Sequence, residues 1–571
     1  MYLSKSAFFT QRVLLRSLLL LLFSLLMGGC GGGGSKSNSL IDASTSSHVA
    51  SATTSITGIA SSSASSASLT SNSSVVPITL SGLVTYDFVP HTAAGLDYAK
   101  AESRPGRGLF IELLDENNVV LATTSTNGNG EYSVNAPSNK RVKIRVKAQL
   151  LKTESPSWNF KVTDNTSNNG LYSMVGSLVV ADESTVIRNL HAPSGWTGTG
   201  YTETRVAAPF AILDTIYTGI ERLISTGDTS NFPPLELRWS IKNKPAGDNL
   251  ENGEIGTSFF NGDAIYILGD ANNDTDEYDQ HVILHEWGHY IESSFSRSDN
   301  IGGDHGFEDR LDIRVAMSEG FANAFSAMML EDSVYRDSSG DQQRDNYTND
   351  VSRKNHQYRG WYSEASVQSV IYNFYASDSN KTARNFTDIF QVITSDNYVN
   401  SDALISIYVF SEQLRNLLPA HASLFNNLLL EQNIEITNQF GAGESNSGGD
   451  VRSLPVYKSI ESSLVTACST NTIGAYNKLM NSQFILIDVK TPGIYQFQVN
   501  ESGSDSGNSD PDLYLYRNGT LIDSAEGASI DQESLSESLL MGTYVLEVVD
   551  ARIRDIEETN EITACFNVQM Q

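Results

Sequence analysis

Cysteine, histidine, basic charge and long apolar runs are all scarce in this chain of 571 residues, and each shortage narrows what it can be. Three cysteines permit one disulfide at most: Cys468 and Cys565 bracket the last stretch of the chain, while Cys30 stands apart near its start. Outside the cytoplasm the first two are expected to be oxidised as a pair. Lys and Arg number 38 against 67 Asp and Glu, a net charge of −29. That sign argues against nucleic acid or anionic lipid as a partner and favours solubility. The apolar run at residues 17–26, preceded by Lys5, Arg12 and Arg16, is too short to span a membrane comfortably and reads as a secretory signal peptide. Residues 31–77 hold Gly, Ser, Thr and Ala with few large apolar side chains, so they cannot bury enough surface to offset their chain entropy and are expected to be a flexible tether.

What remains has ordinary cores to build, since 40% of the residues are hydrophobic. Short alternating strands are expected at 80–86, 108–114, 119–124, 130–134 and 142–146, the pattern of a small β-sandwich. The period then changes: Val206, Phe210, Leu213, Ile216, Tyr217, Ile220 and Leu223 recur at helical spacing. Helical patterns continue through 403–433, a glycine-rich stretch at 441–449 interrupts them, and strands return at 484–489, 493–499, 512–516 and 542–549. The expected fold class is therefore multidomain. It comprises a signal peptide (1–29), a tether (30–77), an N-terminal β-sandwich (78–182), an α+β domain with a mostly helical lower half (183–455) and a C-terminal β-sandwich (470–571).

Four of the nine histidines, His281, His285, His289 and His305, fall in one short region. His285-Glu286-Trp287-Gly288-His289 is a His-Glu-x-x-His motif in an apolar, helix-spaced run, with Thr275, Asp276 and Glu277 as helix-start chemistry and Tyr278, Val282, Trp287 and Ile291 as its packed side. Residues i and i+4 of a helix lie one above the other, so His285 and His289 can offer two imidazole nitrogens to one zinc ion while Glu286 stands beside it as a general base. The third protein ligand is expected downstream. Glu319 is embedded in an apolar helical segment with Met317, Phe321, Ala322 and Phe325, where a carboxylate is costly to bury unless it is paired or coordinates a metal. Asn323, one turn on, could hydrogen-bond the free nitrogen of a ligand histidine. The segment 261–269 reads as a strand that is either the sheet edge beside the metal, able to hold an extended peptide, or an interior strand. His305, in the loop Gly302-Gly303-Asp304-His305-Gly306, either donates to a developing oxyanion or is an exposed loop residue without a role. Tyr358, Tyr362 and Tyr372 are candidates for a phenol that helps polarise a carbonyl, or are packing residues.

The motif and the Ser318-Glu319-Gly320-Phe321-Ala322 run resemble the gluzincin metallopeptidases, in which a His-Glu-x-x-His helix is joined by a glutamate from a second, downstream helix. Glu292 and Phe295 stand where the metzincin pattern requires Gly and His. Carried over, the resemblance implies a zincin-type domain over roughly 200–455, zinc on His285, His289 and Glu319, and Glu286 as the catalytic base. Asn323 departs from the aspartate of thermolysin-like members. Thr126-Asn127-Gly128-Asn129-Gly130-Glu131-Tyr132 resembles carboxypeptidase regulatory-like domains. Ser509-Asp510-Pro511-Asp512-Leu513-Tyr514-Leu515-Tyr516 with Met541-Gly542-Thr543-Tyr544 resembles bacterial pre-peptidase C-terminal domains. There Asp505, Asp510 and Asp512 either bind Ca²⁺ or form a solvated acidic turn. Met27-Gly28-Gly29-Cys30 resembles a bacterial lipobox, implying a lipid on Cys30 and a place in the cell envelope, at the outer membrane or cell surface. The membrane would then be met only through that lipid. The alternative is an ordinary signal peptide with an incidental cysteine and a secreted protein. The expected function is a surface zinc peptidase acting on proteins or peptides; the alternative is a non-catalytic adhesin or binding lipoprotein that retains a peptidase fold.

Overall fold

Alternating buried and exposed side chains set the strands, and their pairing joins segments that look separate in sequence. In the computed structural model the described residues are 78–571, except 183–184, 378–382, 436, 461–463, 505–507 and 555–559. The expected leader and tether, with Cys30, and Asp505 lie outside them. The five expected N-terminal strands are β1 (Ile78–Phe88), β2 (Leu109–Asp115), β3 (Val120–Ser125), β4 (Glu131–Ala136) and β5 (Arg141–Lys152). They divide between two sheets, β1 pairing with β4 in one, and β2 with β3 and β5 in the other. The turn from β3 to β4 is tied by Asn127, whose side-chain oxygen accepts from the backbone N–H groups of Asn129 and Glu131. Gly130 closes it at φ 77°, where a Cβ would meet the carbonyl of Val84 at 2.5 Å.

The second sheet does not end at residue 182. It continues through β6 (Trp158–Asp164), β7 (Leu235–Trp239) and β9 (Ala264–Ile267) to β8 (Phe259–Phe260). β6 lies parallel to β7, with Val162 opposite Leu237, and β7 lies parallel to β9, with Leu237 opposite Ile265. One sheet of ten strands thus runs across the boundary drawn near residue 183. Helix α1 (Ala208–Ser225) covers it, burying Phe210, Leu213, Ile216, Ile220 and Leu223 at the spacing expected from sequence. β9 is flanked on both sides, so the edge is β8 and the segment 264–267 is an interior strand.

Helix α2 (Gln280–Phe295) carries the His-Glu-x-x-His motif, and α3 (Ile313–Leu330) and α4 (Glu364–Ala376) pack behind it. The expected helix-start chemistry goes elsewhere. Thr275 and Glu277 both hold the buried Arg205, Asp276 accepts from Ser258, and Asp279, which directly precedes α2, accepts from the N–H and hydroxyl of Ser338 instead of capping its own helix. α3 is buried almost all round, as an apolar helix inside a core should be. Gly320 lets α4 approach it: a Cβ there would stand 2.6 Å from Cβ of Val367 and 2.8 Å from the carbonyl of Glu364.

The C-terminal sandwich begins at the strand Tyr457–Ser459, earlier than the alternation indicated, and closes around Ile485, Phe497, Leu513, Leu546 and Phe566. Cys468 and Cys565 face each other on adjacent strands and are joined by a disulfide. This sandwich is fastened to α3. Arg314, 2% exposed, makes two 2.9 Å hydrogen bonds to Glu547, which also accepts from Ser482 and Arg554. Burial alone would raise the Glu547 carboxyl, but Arg314 and Arg554 outweigh it and hold it well below the usual carboxylate range. Removing one partner of such a pair leaves an uncompensated buried charge, at a cost of about 3–5 kcal/mol. The same sandwich grips the loop between α2 and α3, where Tyr476, Asn477 and Lys478 donate to the carbonyls of Ile301, Gly302 and Asp304.

Candidate metal centre

Three donor atoms converge where α2 meets α3. His285 Nε2 lies 3.2 Å from His289 Nε2 and 3.2 Å from Glu319 Oε2, and His289 Nε2 lies 3.3 Å from the same oxygen. Tetrahedral zinc with bonds of about 2.0–2.1 Å places neighbouring donors about 3.3 Å apart, so the triangle has the size and the N,N,O chemistry that zinc requires. The i, i+4 spacing stacks the two imidazoles on one face of α2, and α3 brings the carboxylate across.

The far side of each ligand is held in place. His285 Nδ1–H donates to Asn323 Oδ1 at 2.9 Å, which leaves Nε2 with its lone pair toward the centre. His289 Nδ1 faces Ser318 Oγ at 3.2 Å and Glu292 Oε2 at 3.4 Å, and Ser318 itself donates to Glu292. Glu319 Oε1 accepts from Asn300 at 2.9 Å. The local field draws in positive charge. Burial opposes a charged His289, yet Glu319, Glu292 and Glu286 outweigh it and hold its pKa well above the usual value. Burial would raise Glu319, yet His305 and His289 hold it well below. A divalent cation at this point would replace protons that the same carboxylates already attract.

Glu286 stands beside the triangle on α2, 8% exposed, with Oε2 accepting from the backbone N–H of Phe260 at 2.8 Å. Burial raises its pKa, the neighbouring imidazoles lower it, and the balance is upward. The link to Phe260 ties the carboxylate to the edge strand β8.

His305 lies outside this triangle, on an exposed part of the loop, with both ring nitrogens facing carboxylates. Nε2 faces Glu319 Oε2 at 3.3 Å and Nδ1 faces Glu364 Oε2 at 2.8 Å. Burial opposes its charge, but Glu319 and Glu364 outweigh burial and hold its pKa well above the usual value. The three candidate tyrosines are engaged elsewhere. Tyr358 lies under Arg310, Tyr362 donates to the carbonyl of Arg359 and to Asn446, and Tyr372 is buried in the main core. A different tyrosine, Tyr335, packs its ring against those of His285 and His281, with centroids 6.1 and 5.4 Å apart. Among the described residues, Asp510 and Asp512 form no group of three acidic or imidazole ligands.

Sequence reasoning passed over Glu292, Asn300, Ser318, Tyr335, Glu364 and Phe260. Glu292 alone carried a local signal, its i+3 spacing from His289 on the same helix.

Parts of the chain are similar to solved structures, among them the following two. The pre-peptidase C-terminal domain of a Bacillus anthracis collagenase is 9% identical, covers 20% of this chain and 94% of its own, and has a TM-score of 0.15. The periplasmic g-type lysozyme inhibitor PliG of Aeromonas hydrophila is 13% identical, covers 20% and 96%, and also has a TM-score of 0.15. No curated protein matches the chain. The Mycolysin C-terminal domain family model matches residues 227–412, a span that takes in His285, Glu286, His289 and Glu319.

Proposed function

We propose that this protein is a zinc-dependent peptidase that cleaves peptide bonds in proteins or peptides. One observation carries the reading: a zinc-sized triangle of His285, His289 and Glu319 donors with a buried carboxylate, Glu286, beside it. The similarity of residues 227–412 to the mycolysin family supports it, because it associates this part of the chain with a secreted metallopeptidase. Zinc held by these three side chains would act as a Lewis acid that polarises a scissile carbonyl and lowers the pKa of water. Glu286 takes a proton from the attacking water and delivers it to the leaving amine, its carboxylate aimed by the N–H of Phe260. His305, whose two ring nitrogens face Glu319 and Glu364, holds the Glu319 carboxylate from outside the triangle. The short edge strand β8 lies alongside, where an extended peptide can add as a further strand. Casein hydrolysis by the full chain should stop with a zinc chelator and return on adding zinc. Hydrolysis that persists without metal, or none with zinc loaded, would remove this reading, the latter in favour of an adhesin.

We further propose that the chain is lipid-anchored through Cys30. The support is the Gly28-Gly29-Cys30 run after a short apolar core and before a polar tether. Cys30→Ser should move the protein from the membrane fraction to the soluble one. A wild-type protein recovered only from the culture medium would contradict the anchor.

A further inference from the structure

The segment leading into α2 and the strand following α3 bring three further carboxylates together. Asp274 belongs to the short strand β10 (Asp274–Thr275), Asp276 follows it, and Asp337 lies on β11 (Val334–Ser339), with Asp274 paired to Ser339 across the two strands. One oxygen from each of the three lies within 4.8 Å of the others. Calcium, bound at about 2.3–2.6 Å, can touch oxygens that are up to about 4.8 Å apart on opposite sides of it. Asp276 supplies a separate sign of a ligand. It is 2% exposed, one oxygen accepts from Ser258, and Oδ1 is buried with no hydrogen-bond partner. A buried anionic oxygen left in that state is costly unless something positive reaches it.

We infer that Asp274, Asp276 and Asp337 form a second metal site, selective for a hard divalent cation of the calcium type. All three donors are carboxylate oxygens, without the nitrogen or sulfur that favours zinc. Three carboxylates from two segments also suit the larger and more adaptable ion over magnesium. The rival occupant is a proton: burial, with Asp274, Asp337 and Asp279, pushes the Asp276 carboxyl well above its usual range. The two differ in their response to calcium. A cation here would tie the entry of α2 to the strand that carries Tyr335, whose ring rests on His285. It would therefore brace the zinc centre from outside without contributing a ligand to it.

The test uses the full chain in buffer that contains zinc and no calcium. Saturating calcium should raise Tm by about 5 °C, and Asp337→Asn and Asp276→Asn should each lose that rise while keeping their zinc. Asp512→Asn, which changes a buried carboxyl on a strand of the C-terminal sandwich, should keep it. Without calcium, Asp337→Asn should be at least as stable as the wild type, because it relieves repulsion between carboxylates. Tyrosine-sensitised terbium emission, displaced by calcium in the wild type and absent from Asp337→Asn, reads the same site independently of stability. No calcium response in the wild type, or a full response retained in both variants, overturns the site.

Discussion

Glu286→Gln should lower peptide hydrolysis by roughly 10² to 10⁴-fold while leaving zinc content unchanged, the span expected when a general base is removed and binding is spared. Glutamine has the same shape, and its amide oxygen can still accept from the N–H of Phe260, so the link to β8 survives. What it loses is the ability to accept a proton from water. Folding should not suffer, because the replaced carboxyl is buried and its pKa raised, so a neutral side chain suits that place at least as well. Turnover should fall without a matching change in KM, since β8 and the metal ligands are untouched. Zinc-loaded variant enzyme that turns over at the wild-type rate would end the proposed mechanism.

The second large effect is on the metal itself. Glu319→Ala removes the one anionic donor of the triangle and leaves His285, His289 and His305 facing a gap. Zinc affinity should drop by more than about 100-fold, the upper end of what disturbing an outer hydrogen-bond partner costs, and activity should fall with it. His305→Ala is the contrasting change. It should keep one zinc per chain and lose only part of the rate, because His305 touches the carboxylate from outside the triangle. Metal analysis after dialysis decides between them. If the glutamate variant kept its zinc and the histidine variant lost it, the centre would be a three-histidine one and the gluzincin resemblance would not extend to it.

The sequence disclosed those parts of the centre that a single helix sets. His285 and His289 share one face by their i, i+4 spacing with Glu286 next to the first of them in the chain, and Glu319 and Asn323 are separated by one turn of α3, so a polar pair in an apolar helix already invited a partner. The remaining contacts are long-range and left no local trace. Asn300 and Glu364 reach the centre only because the loop after α2 is held down by Asn477 and because Gly320 lets α4 come close. β8 is two residues long, too short for any alternation to announce it, and so the sequence leaves the segment 261–269 open as either the edge or an interior strand. Strand alternation says which residues form strands but not which strands pair. That is why the N-terminal and α+β segments read as separate domains although β6 lies beside β7.

That junction limits how the chain can be taken apart. A module that is merely strung on a linker can be deleted, exchanged or inherited separately, and the remainder keeps its surface. Here a cut near residue 183 would separate β6 from β7 and strip one side of the strand carrying Leu235, Leu237 and Trp239, all buried in the whole molecule. The fragment holding the metal centre would then present a bare, apolar row of backbone donors and acceptors, a template for pairing with other chains. Shortened versions of this protein should therefore begin upstream of β1, and its N-terminal β-rich segment and its helical segment should be passed on through evolution as one inseparable piece.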